Sequence, residues 1–585
     1  MSTTHQVVHT LRVQPRPELG SGLDGRLRDR IREATGLAVE AVRVHKLYEV
    51  VGAVAPGVAR WVGEALLADP VAEAVEAGLP SAPSGGWSVQ VGYRPGVTDN
   101  EGRTAEDLLA CAARAGRVAV PGEVAIHASR LYELDGPLDE AAVRRIATEV
   151  LGNPLVQRFA VAAPGTALAP GWWREPVGAA TPAEPVRTHV LPDDDAALAA
   201  FSREAVLALT AEELQAVRRH FARPEVLAAR AAGGLPALPT DVELEAIAQT
   251  WSEHCKHKIF NDSIRLETPD GVRVLDAGLF KAHIRAATEQ VATERDWLVS
   301  VFEDNAGVIR FVPGHHLVFK VETHNAPSAL EPYGGALTGI VGVNRDPAAT
   351  GLGARLIFNT DVFCFAPPDT PPPYPPGVLP PRRIFEGVRR GVEDGGNQSG
   401  VPTVNGALFF DPRFLGRPLV FCGTGALMDE TVAGRPGHEK AIEPGDLVVM
   451  AGGRVGLDGI HGATFSSDAV GAEAPAGVVQ IGDPITQKKL LDMLAEAREQ
   501  GLFRAITDNG AGGLSSSVGE LARLCGGASL ALDRVPLKYP GLAPWQVLVS
   551  ESQERMTLAV PPEHWPALQA LAARRDVEVA AIGAF

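Results

Sequence analysis

His315-His316-Leu317-Val318-Phe319-Lys320-Val321-Glu322-Thr323-His324-Asn325 reads as a β-strand, with side chains alternating between two faces. Phe319, Val321 and Thr323 share one face, expected to meet a core; Lys320, Glu322 and His324 share the other. Lys can pair with phosphate, Glu can hold a hard cation and His can move a proton, so the second face has the makings of a site. A solvated charged face is the plain alternative, and this strand alone does not separate the two. The next segments favour a site. Gly334-Gly335-Ala336-Leu337-Thr338-Gly339 allows close backbone approach. Asn344-Arg345-Asp346 adds a cation able to clamp phosphate or carboxylate, and an acid able to join Glu322 at magnesium.

Two further constellations flank this one. In Trp251-Ser252-Glu253-His254-Cys255-Lys256-His257-Lys258, His254 lies three residues after Trp251 and is expected to continue the buried stripe at a helix end. A His254/Cys255/His257 metal site is poor, because no second ligand pair accompanies it. In Ala505-Ile506-Thr507-Asp508-Asn509-Gly510-Ala511-Gly512-Gly513-Leu514, a strand ends at Asp508 and a helix starts near Ser515. That turn offers backbone N–H groups to an anion beside a carboxylate for magnesium. It is not a Walker motif, since no Gly-Lys-Ser/Thr follows. Gly456 to Gly462 and Ser550 to Arg555 are further polar stretches.

Outward from these segments, strands and helices alternate from about 259 to 430, interrupted by a proline-rich surface loop, Pro367 to Pro381. A boundary is expected near 435, before the apolar strand Leu447 to Met450. Upstream, Thr240-Asp241-Val242-Glu243 fits a capping box, and Leu244, Ile247, Ala248 and Trp251 form the buried stripe of the helix it starts. Helical periodicity also runs from Arg203 to Ala222, and residues 164 to 200 read as linker. Near the N-terminus Lys46-Leu47-Tyr48-Glu49-Val50 matches Arg130-Leu131-Tyr132-Glu133-Leu134, and Asp69-Pro70-Val71 matches Asn153-Pro154-Leu155. Both matches share one offset, 48 to 132 and 70 to 154, which argues for a duplicated module. The expected fold is therefore α/β and α+β multidomain. Two small α+β copies occupy 1–80 and 84–163, linker and helices 164–258, an α/β domain 259–434 and an α+β domain 435–585.

Composition narrows the function. Hydrophobic residues at 45% and charged ones at 21% suit a globular protein and exclude disorder as the main state. A net charge of −17 disfavours broad nucleic-acid binding, though not a small phosphorylated ligand held locally. The five cysteines are scattered without a C-x-x-C pair, which fits a reducing compartment. The opening MSTTHQVVHT has no signal-peptide pattern and no uncharged apolar stretch reaches membrane-spanning length, so a cytoplasmic location is expected.

Taken together, the stretches at 252–261, 319–339, 344–346, 456–465, 479–484, 507–517 and 550–556 resemble phosphoribosylformylglycinamidine synthase, in family order. The duplicated N-terminus resembles two fused copies of that enzyme's small accessory subunit. Arg94 to Gly102 carries its signature and the first copy has lost it. The resemblance implies a module like aminoimidazole ribonucleotide synthase, with an N-terminal α/β and a C-terminal α+β domain. It implies ATP-dependent conversion of formylglycinamide ribonucleotide to the amidine, through an iminophosphate, with ammonia from a glutaminase. Carried over by motif, His254 and His324 are catalytic, with His324 the proton acceptor, and His257 and Lys320 bind ATP. Glu322, Asp346 and Asp508 hold Mg2+. Thr323, His324, Asn325, Ala326, Arg345, Gln480, Glu551, Ser552 and Gln553 bind substrate. Ala326 departs from the family's usual His. The family's synthetase has two tandem halves and this sequence shows one, with no glutaminase domain. The last domain is expected to be incomplete, and a partner polypeptide to supply the second half. The alternatives are a non-catalytic nucleotide-binding half-site and another ATP-dependent synthase of the same superfamily.

Overall fold

The computed structural model describes residues 7–16, 22–79, 86–94, 97–120, 122, 124–154, 156–168, 184–466 and 480–585. Pro95, Gly96, Leu155, Val479 and much of the 164–200 linker, all used in the reading above, lie outside them. The chain divides into two compact units, Met1–Val177 and Gly178–Phe585.

The first unit runs β1 (Val7–Pro15), α1 (Gly22–Thr35), β2 (Ala41–Gly52), α2 (Pro56–Val62) and β3 (Glu73–Ala77). It continues β4 (Trp87–Tyr93), α3 (Asn100–Arg114), β5 (Val124–Asp135), α4 (Glu140–Ile146) and β6 (Gln157–Ala162). Among the described residues these strands form one sheet in the order β3-β1-β2-β5-β4-β6. At its centre β2 and β5 pair antiparallel over their whole length, with Lys46 opposite Arg130. Neither core belongs to one half of the sequence. One joins Leu11, Tyr48 and Val50 to Leu109 and Ile126, and the other joins Ile31 and Val42 to Val89, Leu134 and Ile146.

The second unit opens with α5 (Asp195–Glu204), α6 (Ala211–Phe221), α7 (Pro224–Ala232), α8 (Asp241–Thr250), α9 (Glu253–Lys256) and α10 (Lys258–Asn261). The periodicity from Arg203 to Ala222 therefore spans a break between two helices, where Val206 and Ala208 take left-handed backbone at φ 56° and 53°. The capping box at α8 forms: the Thr240 side chain accepts from Glu243 N, and Glu243 accepts from Thr240 N at 2.9 Å. Leu244 and Ala248 are buried against Leu214 and Phe221, with Ile247 and Trp251 packed at the margin.

A hairpin, β7 (Ile264–Thr268) and β8 (Gly271–Leu275), and helix α11 (Ala286–Glu294) lead into the first lobe. That lobe contains β9 (Leu298–Ser300), β10 (Gly307–Val312), β11 (His315–Thr323), α12 (Asn325–Leu330), α13 (Pro332–Ala348), β12 (Arg355–Phe365), α14 (Pro381–Ser399), β13 (Thr403–Phe410) and β14 (Leu419–Asp429). Its sheet has the order β13-β12-β14-β11-β10-β9. Ala336 and Ile340 of α13, with Ile384 and Val388 of α14, pack on Val420 and Cys422 of the sheet.

Here the reading of β11 needs correction. Val318, on the Lys320 side, is fully buried, whereas Phe319 and Val321 are 43% and 41% exposed. Period two separates two faces but does not say which one the helices cover. His316 and Val318 supply the apolar contacts of the Lys320 face near the strand's start, and its ionisable end is left for a site. The α13–α14 contact is close: a Cβ on Gly391 would stand on the Tyr333 carbonyl oxygen. Gly391→Ala is expected to lower stability by about 1–3 kcal/mol, read by urea unfolding; an unchanged midpoint would refute the close packing.

Short strands β15 (Thr431–Val432) and β16 (Arg435–Pro436) precede the second lobe. It contains β17 (Leu447–Gly452), α15 (Gly462–Ser466), α16 (Pro484–Glu499), β18 (Ala505–Asp508), α17 (Gly513–Ala522), β19 (Ser529–Leu530), α18 (Pro544–Val549), β20 (Arg555–Val560), α19 (Trp565–Arg575) and β21 (Val579–Ala584). The sheet order is β18-β20-β17-β21-β19. Along β17, Val449 and Ala451 join the core under α16 and α19, while Val448 and Met450 join the one under α17 and α18. Burial on both faces explains its unbroken apolar run. Ala348 and Ala349, at the end of α13, also enter the α16 core, and this seats Arg345 and Asp346 against the second lobe.

Candidate active site

Lys320 is the hub. Its Nζ lies 2.7 Å from Asp346 Oδ2 and 3.4 Å from Glu322 Oε1, and donates to the Asn305 carbonyl at 2.9 Å. Burial alone would depress the ammonium, but Asp346, Glu322 and Asp508 hold its pKa above the usual lysine range. Burial and the neighbouring Glu322 and Asp508 charges hold the Asp346 carboxyl well above the usual range. Glu322 is also pushed up by burial, yet Lys320, Asp346 and Arg345 bring it below its usual value. Among the described residues no three His, Cys, Asp or Glu side chains gather closely enough to hold a metal ion. Glu322, Asp346 and Asp508 do act on one another and on Lys320. The three acids face the Lys320 ammonium and the Arg345 guanidinium, and their oxygens are of the donor type that a hard divalent cation takes.

His324 follows the end of β11 and caps α12, its N–H donating to Val420 O at 2.8 Å. Its Nδ1 lies 2.5 Å from the Gly335 carbonyl oxygen. A carbonyl only accepts, so Nδ1 carries the hydrogen and Nε2 keeps a lone pair. Burial pushes the imidazole down to about 4, partly opposed by the Gly335 bond and by Glu322. At neutral pH His324 is thus an uncharged base with one defined open nitrogen.

His254 departs from its expected place. α8 stops at Thr250, Ser252 caps a new helix by accepting from Cys255 N at 3.2 Å, and His254 is exposed on that helix rather than in the buried stripe. Desolvation lowers its pKa against the pull of Glu322, with Lys320 and His257 also acting on it. His257 closes α9 in left-handed backbone, φ 51°. Thr323 is exposed, Ala326 is buried, and Asn325 Oδ1 accepts from Val420 N at 2.8 Å, fixing the start of α12.

From Arg345 a polar chain crosses into the second lobe. Arg345 Nη1 donates to Gln553 Oε1 at 2.5 Å, and its Nε lies 3.6 Å from Asp508 Oδ2. Gln553 Nε2 donates to Gln480 Oε1 at 2.8 Å, and Gln480 Nε2 to Glu551 Oε2 at 2.6 Å. Glu551 also accepts from Gly512 N at 3.2 Å and Ala463 N at 3.1 Å. The helix N-terminus after Asp508 thus receives a protein carboxyl. Ser552 turns the other way: its Oγ donates to Asp458 Oδ1 at 2.8 Å.

Two participants escaped the sequence reading. Asn305 donates to Asp508 Oδ1 at 3.0 Å while its carbonyl receives Lys320; its one cue is the turn-like Asp304-Asn305-Ala306-Gly307. Glu554 is buried in left-handed backbone at φ 57°, near Arg345, with Oε2 accepting from Asp483 N at 2.9 Å. Such strain in a non-glycine residue leaves no mark on the sequence. Arg345 Nε, Glu554 Oε1 and Asn509 Nδ2 are buried and, among the described residues, make no hydrogen bond. A polar ligand would relieve penalties of about 1–3 kcal/mol each.

Burial pushes Glu551 up to about 8. A raised acid keeps its proton in the folded state while the unfolded chain loses it, so its stabilising contribution is full below the usual carboxylate value and is lost as pH rises towards 8. Urea unfolding between pH 5 and about 8 should show Glu551→Gln less pH-dependent than the parent; parallel profiles would contradict the assignment.

Comparison with known proteins agrees with this arrangement. The formylglycinamide ribonucleotide amidotransferase linker domain matches residues 198–258. The AIR synthase related protein N-terminal and C-terminal domains match 303–427 and 443–585. The PurL subunit of phosphoribosylformylglycinamidine synthase from Thermoplasma acidophilum is 35% identical over 394 residues, covering 67% of this chain and 46% of that protein. The Thermotoga maritima PurL subunit is 36% identical over 328 residues, covering 56% and 46%. The solved structure of T. maritima PurL complexed with FGAR aligns at 32% identity and TM-score 0.47, over 61% of this chain and 51% of that one. With ATP bound, the T. maritima protein aligns at 30% identity and TM-score 0.44, over 61% and 50%. With the linker and both synthase-related domains in chain order, and with these relatives, the chain belongs to the phosphoribosylformylglycinamidine synthase PurL family, and spans about half the length of the curated relatives it matches.

Proposed function

We propose that residues 259–434 and 435–585 carry one ATP-dependent synthetase site that converts formylglycinamide ribonucleotide to formylglycinamidine ribonucleotide in purine biosynthesis. The observation that carries this reading is the neutral, singly open His324 beside the Lys320–Glu322–Asp346 cluster. The substrate's amide oxygen takes the γ-phosphoryl group of ATP and ADP leaves. Ammonia then adds to the carbon, the C–O bond breaks and phosphate departs. Lys320 supplies positive charge to the phosphoryl group in transfer. His324 Nε2 takes the proton that ammonia's nitrogen gives up. Arg345, Gln553, Gln480 and Glu551 hold the substrate, and His254 and His257 close the nucleotide side. Glu322, Asp346 and Asp508 would hold magnesium, which when bound adds charge stabilisation to the transfer.

A partner polypeptide supplies the second synthetase half in this reading, and a glutaminase subunit the ammonia. Supporting it, Phe319, Val321 and Phe409 leave apolar surface open on the first-lobe sheet. The N-terminal unit is read as two fused accessory-subunit-like copies, supported by the repeat offset recurring in the Lys46–Arg130 pairing. A cytoplasmic location belongs to the same reading; no described helix is long and apolar enough to cross a membrane.

The test is phosphate release from ATP, with magnesium, formylglycinamide ribonucleotide and ammonium salt, for the purified chain with and without a second-half polypeptide. Release that needs the substrate and the added half is expected. Release indifferent to the substrate would overturn the assignment and leave another synthase of the superfamily. Turnover by the chain alone would remove the partner, and none in either case would favour a non-catalytic half-site.

A further inference from the structure

Behind Glu322, the first-lobe sheet carries a buried acid outside the residue set drawn from the family. Glu322, Cys422 and Asp361 stand in register across β11, β14 and β12 on the face covered by α13. Asp361 is only 5% exposed. Its Oδ2 accepts from Thr403 Oγ1 at 3.2 Å, the Cys422 thiol faces the carboxyl as a donor, and among the described residues no group meets Oδ1 in full hydrogen-bond geometry. Among the described residues, no Lys or Arg acts on it. Burial raises its pKa to about 6, so near neutral pH it is an ionised carboxylate in a dry place without a counter-cation.

The row runs between the catalytic cluster and the edge of the sheet. Thr403 begins the edge strand β13 and is exposed, while Glu322 abuts Lys320 at the other end. Gly339 packs against both His324 and the thiol: a Cβ there would lie 3.0 Å from His324 Cβ and 3.9 Å from Cys422 Sγ. A buried carboxylate with one oxygen left over beside a thiol makes an acceptor site. It suits a small cation that donates several hydrogen bonds and can pass a proton onward.

We propose that Asp361, beside Cys422, forms an ammonium-binding subsite that holds the nitrogen nucleophile behind His324 before attack. The subsite rests on the synthetase reading. Asp361 takes the ion as NH4+, and ammonia goes forward once its proton has been left on the Asp361 carboxylate. Asp361 acts here on the co-substrate before the reacting atoms meet.

Two arms test this with the full chain. In the first, the nitrogen-14 NMR linewidth of ammonium chloride is titrated with protein at constant ionic strength in sodium chloride. Excess broadening is expected with the parent chain and its loss with Asp361→Asn. Cys422→Val, which keeps the carboxylate but crowds it with methyls, should lose it as well, so the test survives if either variant folds poorly. In the second arm, turnover with the second-half polypeptide should show KM for ammonium raised about tenfold in Asp361→Asn, with KM for ATP and for the ribonucleotide unchanged. Equal broadening in all three proteins, or an unchanged KM for ammonium, overturns the subsite. Ammonium binding that needs Asp361 in a chain without turnover would instead sink the synthetase reading while the subsite stands.

Discussion

Lys320→Met is expected to destabilise the metal-free chain by about 3 kcal/mol and to cut phosphoryl transfer by about 10²–10³-fold. Both effects have one origin. The ammonium touches Asp346 and Glu322 directly and is stabilised by Asp508. Methionine keeps the length and apolar stem and removes only the charge, leaving the buried Asp346 without its ion-pair partner and Glu322 and Asp508 with Arg345 alone. Magnesium should restore part of the lost stability, since the vacated charge is positive. Thermal unfolding with and without magnesium reads the first effect, and phosphate release in the reconstituted system the second. A variant as stable as the parent would mean that the acids do not depend on Lys320.

His324→Ala should lower amidine formation by about 10²–10⁴-fold. The Nδ1–Gly335 contact fixes the tautomer and burial keeps the ring neutral, so Nε2 is the nitrogen that would act as base in the proposed reaction. Phosphorylation of the amide oxygen would not use this nitrogen. ADP release should therefore fall less than amidine formation, and following both products separates base catalysis from general damage to the site. Equal losses in the two products, or full activity, would refute the role.

Local chemistry was readable from sequence where it was written within a few residues. The Thr240–Glu243 capping box forms as spaced, and the Ala505–Asp508 strand leads into the α17 turn. The Lys320 and Glu322 face was legible from period two alone. Which face lies under the helices was not, because α13 and α14 come later in the chain and choose it by packing. His254 was misplaced because a Ser at 252 can either continue a helix or cap the next one, and it caps. Asn305, Glu554 and the Asp361–Cys422 register depend on contacts between distant segments, on which spacing is silent.

The central pairing of β2 with β5 has a further consequence. Two separate chains joined by such a ladder would come apart on dilution and could exchange subunits. Written into one polypeptide, with 84 positions between Lys46 and Arg130, the pair meets at a high effective concentration that dilution cannot lower. On the proposed reading of this unit as two fused copies, the halves would be free to diverge, since neither would have to recognise a copy of itself. Any surface that one half had given up would then be missing once per molecule, and the opposite surface could address a single neighbour.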